Sequence, residues 1–242
     1  MDIIWQDFSF FLTRLKYLPV SKSLTLGANN EVFCVSTGCS FESWVYYPAR
    51  ITDPEIVKRT VKFFSDENIS FMWPVYNGGE KILEDCGLIY AGNLTAMSYE
   101  SKSSHATNNL KIYEADSHDW ADIAWQGFGS EAGTTSKEYY KLVEAFKNDT
   151  SLRLYIADYE GKHAGTFLIT NEKNLMGVYY FATLPEFRRK GIARAMMSKI
   201  CELASGKTIV LQATPMGLPF YKKFGFEERF IIPIYSTESD IF

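Results

Sequence analysis

Two spacings of apolar residues alternate along this chain, and together they predict its elements. In the first hundred residues, helical spacing marks Ser9 to Leu18, ended by Pro19, and a second run of Ile56, Val57, Val61 and Phe64 behind Asp53-Pro54. The aspartate is placed to cap that second helix and the proline fits its first turn. A short helix is expected from Glu80 to Cys86, closed by Gly87. Strands are expected over Val32–Ser36, Glu42–Tyr47, Ile69–Trp73 and Leu94–Glu100. The polar run Ser101 to Asn109 has no periodicity and reads as a linker. Beyond it come a strand (Leu110–Glu114), a helix through Trp120, Ile123, Ala124 and Phe128 capped by Asp116 or Ser117, and a helix capped by Ser136. Arg153–Tyr159 and Ala164–Thr170 alternate on either side of Glu160-Gly161-Lys162, which predicts a hairpin. A strand ending at Thr183, a helix from Ile192, a strand over Thr208–Ala213, a short helix before Gly225 and a final strand complete the order β-α-α-β-β-β-α-β-α-β.

The informative stretch lies between the strand ending at Thr183 and the helix from Ile192. It reads Pro185-Glu186-Phe187-Arg188-Arg189-Lys190-Gly191-Ile192-Ala193-Arg194. The first amides of a helix have no internal partners and the helix dipole favours an anion beside them. Gly191 removes the Cβ that would hold a phosphate away, Ala193 stays small, and the cations add positive charge. The natural ligand of such a turn is a pyrophosphate. A net charge of −4 and a pI near 5.5 leave no wider basic face to follow a nucleic-acid backbone. The Gly-Lys-Ser/Thr phosphate loop and a full G-x-G-x-x-G are both absent.

The pattern Arg188-x-x-Gly191-x-Ala193 resembles the acyl-CoA pyrophosphate loop of the GNAT superfamily of N-acyltransferases. A second signature of that family is matched downstream by Phe220-Tyr221-Lys222-Lys223-Phe224-Gly225-Phe226. The resemblance covers roughly residues 110 to 235. It implies an α/β (α+β) fold in which helices flank a central mixed sheet, with acetyl-CoA as co-substrate and no metal. It further implies that Phe181, Ala182 and Thr183 hold the pantetheine arm. The pyrophosphate role falls to Arg188, Arg189, Lys190, Gly191, Ile192 and Ala193, with Arg194 beside them; Thr214 is a further CoA contact. Tyr221 becomes the general acid that protonates the departing thiolate, a role open to a tyrosine because a free thiol is itself acidic, with pKa about 8.5.

A faint repeat links the two halves. Gly79 and Gly87 bracket one short helix at the same separation as Gly217 and Gly225 bracket another, and Pro48 precedes Gly79 much as Pro185 precedes Gly217. The chain is therefore expected as two tandem halves: residues 1–104 a degenerate GNAT-like domain and 105–242 the acetyltransferase domain. In the first half no glycine and a single cation follow Pro48, Asp53 would repel a pyrophosphate, and Leu83 stands where Tyr221 stands in the second. That half is expected to cover the acceptor site and to bind no CoA of its own.

The general base is not identifiable. Gln212 and the pair Tyr179 and Tyr180 occupy the central strands where many relatives carry a carboxylate, and Glu131 reads as a loop charge. His163 is expected at the surface, while His105 and His118 have no partner in sequence. Four cysteines without C-x-x-C pairing or ligand spacing argue against zinc and fit the reducing cytoplasm; Cys86 and Cys201 read as small buried residues. No apolar run approaches a membrane span and no secretory leader is recognisable at Met1-Asp2-Ile3-Ile4-Trp5. Two functions from different classes fit: an N-acetyltransferase acting on a primary amine of a small molecule or peptide, and a non-catalytic CoA-binding sensor on the same fold. Neither involves nucleic acid or a membrane, and the oligomeric state is open.

Overall fold

The computed structural model describes residues 2–28, 31–100, 110–115 and 117–239. The expected linker Ser101–Asn109 with His105, and Asp116 as a cap, lie outside the described residues.

The chain opens with helix α1 (Ile3–Tyr17), which starts a turn and a half before the expected Ser9 because the Asp2 side chain accepts from the Ile4 amide at 2.9 Å. Its buried stripe is Ile4, Trp5, Phe8, Phe11, Leu12 and Leu15. Strands β1 (Lys22–Leu26), β2 (Val32–Ser36) and β3 (Trp44–Tyr46) form an antiparallel sheet in that order. Helix α2 (Pro54–Asp66) follows, then the two-residue strand β4 (Trp73–Pro74), helix α3 (Glu80–Asp85) and strand β5 (Ile89–Glu100). The second half runs β6 (Lys111–Glu114), α4 (Ser117–Gly127), α5 (Lys137–Lys147), β7 (Leu152–Tyr159), β8 (Lys162–Thr170) and β9 (Leu175–Thr183). It ends with α6 (Ile192–Ala204), β10 (Thr208–Ala213), α7 (Leu218–Phe224) and β11 (Glu227–Ser236).

Two compact units divide these elements. The first holds Met1–Met97, Gln212–Lys223 and Glu228–Phe242; the second holds Ser98–Leu211 and Phe224–Glu227. In the first unit, β3 and β4 approach in parallel, with the Val45 amide donating to Met72 O at 2.9 Å and the Met72 amide to Ser43 O at 2.8 Å. The other edge of β4 takes β11 antiparallel, Trp73 opposite Tyr235, so the last strand of the chain completes a layer begun by its first half. The core beneath gathers Val45, Val57, Phe64, Phe71, Trp73, Leu83 and Tyr235, with the Phe64 and Phe71 rings stacked at 4.2 Å.

The second unit is a mixed sheet. Strands β6, β7, β8 and β9 are antiparallel neighbours, and β10 joins β9 in parallel from Thr208↔Leu175 to Val210↔Gly177. The predicted hairpin turns at Glu160 and Gly161, both with positive φ. Ser136 caps α5 as expected, accepting from the Tyr139 amide at 3.1 Å. Trp120 of α4 is fully buried and its indole donates to Phe167 O at 3.2 Å, pinning the helix to β8. Cys201 is buried as expected, whereas Cys86 is only half-buried because it sits at the C-terminal end of α3.

Candidate functional site

Strand β9 is shaped before it reaches the basic turn. Its register with β8 shifts between Thr166↔Ala182 and Leu168↔Tyr179, which inserts one extra residue into β9. Tyr180 absorbs the bulge at φ +50°, and Thr166 Oγ1 holds its carbonyl at 3.2 Å. Two glycines let neighbouring elements close on this segment. A Cβ at Gly165 would stand 2.6 Å from Ala182 O and 2.9 Å from Met196 Cε, and one at Gly127 would stand 2.5 Å from Ala182 Cβ.

After Thr183 the chain makes a 3-10 turn over Pro185–Phe187 and then the basic turn. Arg189 (φ +64°) and Gly191 (φ +81°) both take left-handed backbone, which folds the chain tightly into α6. Here α6 differs from α1, α2 and α5. Asp2, Asp53 and Ser136 cap α1, α2 and α5 through their side chains, whereas no side chain caps α6. Its first helical bond is Ala195 N to Gly191 O at 3.0 Å, so the amides before it point out of the helix start without an intrahelical acceptor. Arg189, Lys190 and Arg194 are exposed around that start, and among the described residues no ion pair engages them. The Lys190 ammonium lies over the rings of Phe187 and Tyr159, at 5.1 and 5.3 Å from their centres. Arg188 is spent differently: its Nε donates to Thr183 O at 3.2 Å and its Nη2 to Gly127 O at 3.4 Å. An uncapped helix start ringed by cations has the chemistry to hold a phosphate or pyrophosphate.

Phe181 through Arg194 are therefore brought together in the second unit, while Thr214 and Tyr221 lie in the first. Thr214 Oγ1 accepts from the Gly217 amide at 3.3 Å, and its carbonyl accepts from the amides of Gly217 and Leu218, which starts α7. Tyr221 is buried on that helix, and a Cβ at Gly217 would press its ring at 3.0 Å. Burial pushes its hydroxyl well above the ordinary tyrosine value, so it holds its proton throughout the neutral range. Gln212 carries a buried Nε2 with no hydrogen-bond partner among the described residues. Glu131 is an exposed loop residue. His163 is at the surface but not isolated: its Nδ1 lies 2.8 Å from Asp158, and Asp119 stands 3.4 Å from its Nε2. Among the described residues no group of His, Cys, Asp and Glu could hold a metal ion, and no helix is long and apolar enough to cross a membrane.

Gly127 and Gly165 carry no role in the sequence, and Tyr180 is noted there only as a central-strand residue that is not a carboxylate. A glycine inside an alternating strand was the available signal for Gly165; nothing in the sequence marks the Tyr180 bulge.

A family model described as an acetyltransferase (GNAT) domain matches residues 150–228, which span the hairpin, the basic turn and α7. Among solved structures, the chain is similar to a GCN5-related N-acetyltransferase from Kribbella flavida, at 14% identity and TM-score 0.65, over 98% of this chain and 96% of that one. A functionally unknown conserved protein from Staphylococcus epidermidis gives 12% identity and TM-score 0.65 over 91% and 94%. A GCN5-related N-acetyltransferase from Sphaerobacter thermophilus gives 10% and 0.60 over 94% and 84%. At these identities the likeness is one of fold, and it extends over both halves. No curated protein matches the chain in sequence.

Proposed function

We propose that this chain is a GNAT-superfamily enzyme through its C-terminal half, where the acetyltransferase (GNAT) domain model matches residues 150–228, and that it moves an acetyl group from acetyl-CoA to a primary amine of a small molecule or peptide. The observation that carries this reading is the uncapped, cation-ringed start of α6 behind the bulged end of β9. The amides of Ile192 and Ala193, with the Arg189, Lys190 and Arg194 side chains, would hold the pyrophosphate. Ala182 and Thr183, with Phe181, would lie along the pantetheine arm. Bound acetyl-CoA supplies an activated acyl group on a thiol whose free pKa is about 8.5.

Tyr221 protonates the departing thiolate as general acid; burial raises its hydroxyl pKa, so the proton is in place when the thiolate forms. The amine must arrive neutral, and Gln212, Tyr179 and Tyr180 offer no carboxylate to deprotonate it. That same lack favours the second reading, a CoA-binding sensor without chemistry. Incubating the protein with acetyl-CoA and a mixed library of amines, with mass spectrometry as the readout, separates the two. The enzyme reading expects an acetylated amine and an equal amount of free CoA. Bound CoA with no acetylated product at any acceptor supports the sensor instead.

We further propose that residues 1–104 are a degenerate GNAT-like half. The succession β3, α2, β4, α3 repeats β9, α6, β10, α7, with the first and third elements parallel in both. Where α6 leaves its start open, α2 closes its own: the Asp53 carboxylate accepts from the Glu55 amide at 2.8 Å. Leu83, in the place of Tyr221, is fully buried in the core. One CoA per chain is the expected stoichiometry. Four free cysteines are in keeping with a cytoplasmic protein.

A further inference from the structure

The Arg188 guanidinium joins two carbonyls that are far apart in sequence, and the hydrogen bonds around it give that link a consequence. The last carbonyls of a helix lack intrahelical partners. In α4, Ala124 O takes the Phe128 amide at 3.1 Å, Trp125 O the Ser130 amide at 3.3 Å and Gln126 O the Gly129 amide at 3.0 Å. Gly127 O takes Arg188 Nη2 instead, a cation at the negative end of the helix. The Nε of the same side chain holds Thr183 O, where β9 gives way to the phosphate-binding turn.

The loop that leaves α4 at Phe128 is stapled at its far end. Trp125 Nε1 donates to Thr134 Oγ1 at 3.0 Å and Thr135 Oγ1 donates to Asp122 at 2.6 Å, while the Tyr140 hydroxyl donates to that same carboxylate. Between the staples and Gly127, the segment Phe128 to Gly133 is largely exposed. Phe128 itself is 57% exposed and sets its ring edge-on to Tyr180, at the bulge of β9, with centres 6.4 Å apart. The near end of this loop is thus fixed by Arg188 and stands beside the segment assigned to the pantetheine arm.

We infer that Arg188 is a positioning residue that couples occupancy of the phosphate-binding turn to the α4–α5 loop, rather than a phosphate ligand. This rests on the CoA reading above. An anion that fixes the backbone from Arg189 to Ala193 also fixes the root of Arg188, and through its guanidinium the Gly127 carbonyl and the start of the loop. Such coupling is reciprocal: whatever orders the loop strengthens the anion site by the same factor.

Hydrogen exchange over residues 128–134 tests this, with CoA as the probe and its thermal shift measured on each sample. In the wild-type protein, saturating CoA is expected to slow exchange in the loop by about fivefold or more, the low end for coupled sites. Arg188→Ala should still show a CoA thermal shift at higher ligand concentration, yet lose the slowing. Should that variant fail to fold, Arg188→Gln, which cannot span both carbonyls, carries the same test. Equal slowing in wild type and variant overturns the inference, as does wild-type binding without any slowing. A variant that shows no CoA shift at any concentration makes Arg188 a phosphate ligand and also overturns it. A wild-type protein that gives no shift fails at the CoA reading itself.

Discussion

Tyr221→Phe is expected to lower kcat by about 10²–10⁴, the range for losing one general acid or base, while acetyl-CoA binding changes little. The substitution keeps the ring, and with it the packing against Gly217 and the edge-to-face contact with Phe220 at 5.3 Å. Only the hydroxyl group, and with it the transferable proton, is removed. The loss should shrink with an acyl donor whose thiol leaves more easily, because less help is then needed. A purely structural tyrosine predicts the opposite split: about 1 kcal/mol of stability from a lost hydrogen bond and nearly normal turnover. The pH dependence follows from the direction of the shift. The Tyr221 hydroxyl is raised by burial, so its protonated form persists beyond the ordinary tyrosine value of about 10 and no falling limb in kcat is expected below that pH. Stability behaves in the same sense. It is unaffected by this group below about pH 10 and declines as the pH rises further, where the unfolded chain ionises first. Measuring kcat and melting temperature on one mutant, across pH, decides the role.

Gly191→Glu is expected to abolish the rise in melting temperature produced by CoA. A ligand that binds only the native state at a hundredfold excess over its Kd stabilises it by about 2.7 kcal/mol, so the wild-type shift is easily read. The substitution acts twice. Gly191 sits at φ +81°, where any side chain costs about 1–2 kcal/mol of strain, and a carboxylate there places like charge against the incoming pyrophosphate. Gly191→Ala separates the two effects, since it carries the strain without the charge and should keep a reduced shift. A folded Gly191→Glu protein with an unchanged shift would remove the turn from the binding site.

The turn was legible in sequence because everything that makes it is local. Pro185 stops β9, three cations follow, and Gly191 stands one residue before a helical repeat. The same holds for the Asp53-Pro54 start of α2 and the Ser136 cap of α5. What escaped depends on distant partners. β1 has a weak alternation and exists because β2 pairs with it from Lys22↔Ser36 to Leu26↔Val32. The apolar run Ile69–Trp73 suggested a full strand, but only Trp73–Pro74 forms β4, in a pairing with β11 that lies at the other end of the chain. The Arg188 side chain read as a phosphate ligand by its place in the motif; its two carbonyl partners, one of them 61 residues away, appear only in three dimensions. Tyr180 carries positive φ without being a glycine, so the bulge has no sequence mark.

The central claim is that this chain carries one acyl-CoA site, at the open start of α6, and none at the start of α2 that Asp53 closes. Titration calorimetry with CoA tests it most directly. The account predicts one CoA per chain for the wild-type protein and none for folded Gly191→Glu; two per chain, or undiminished binding in the variant, would contradict it.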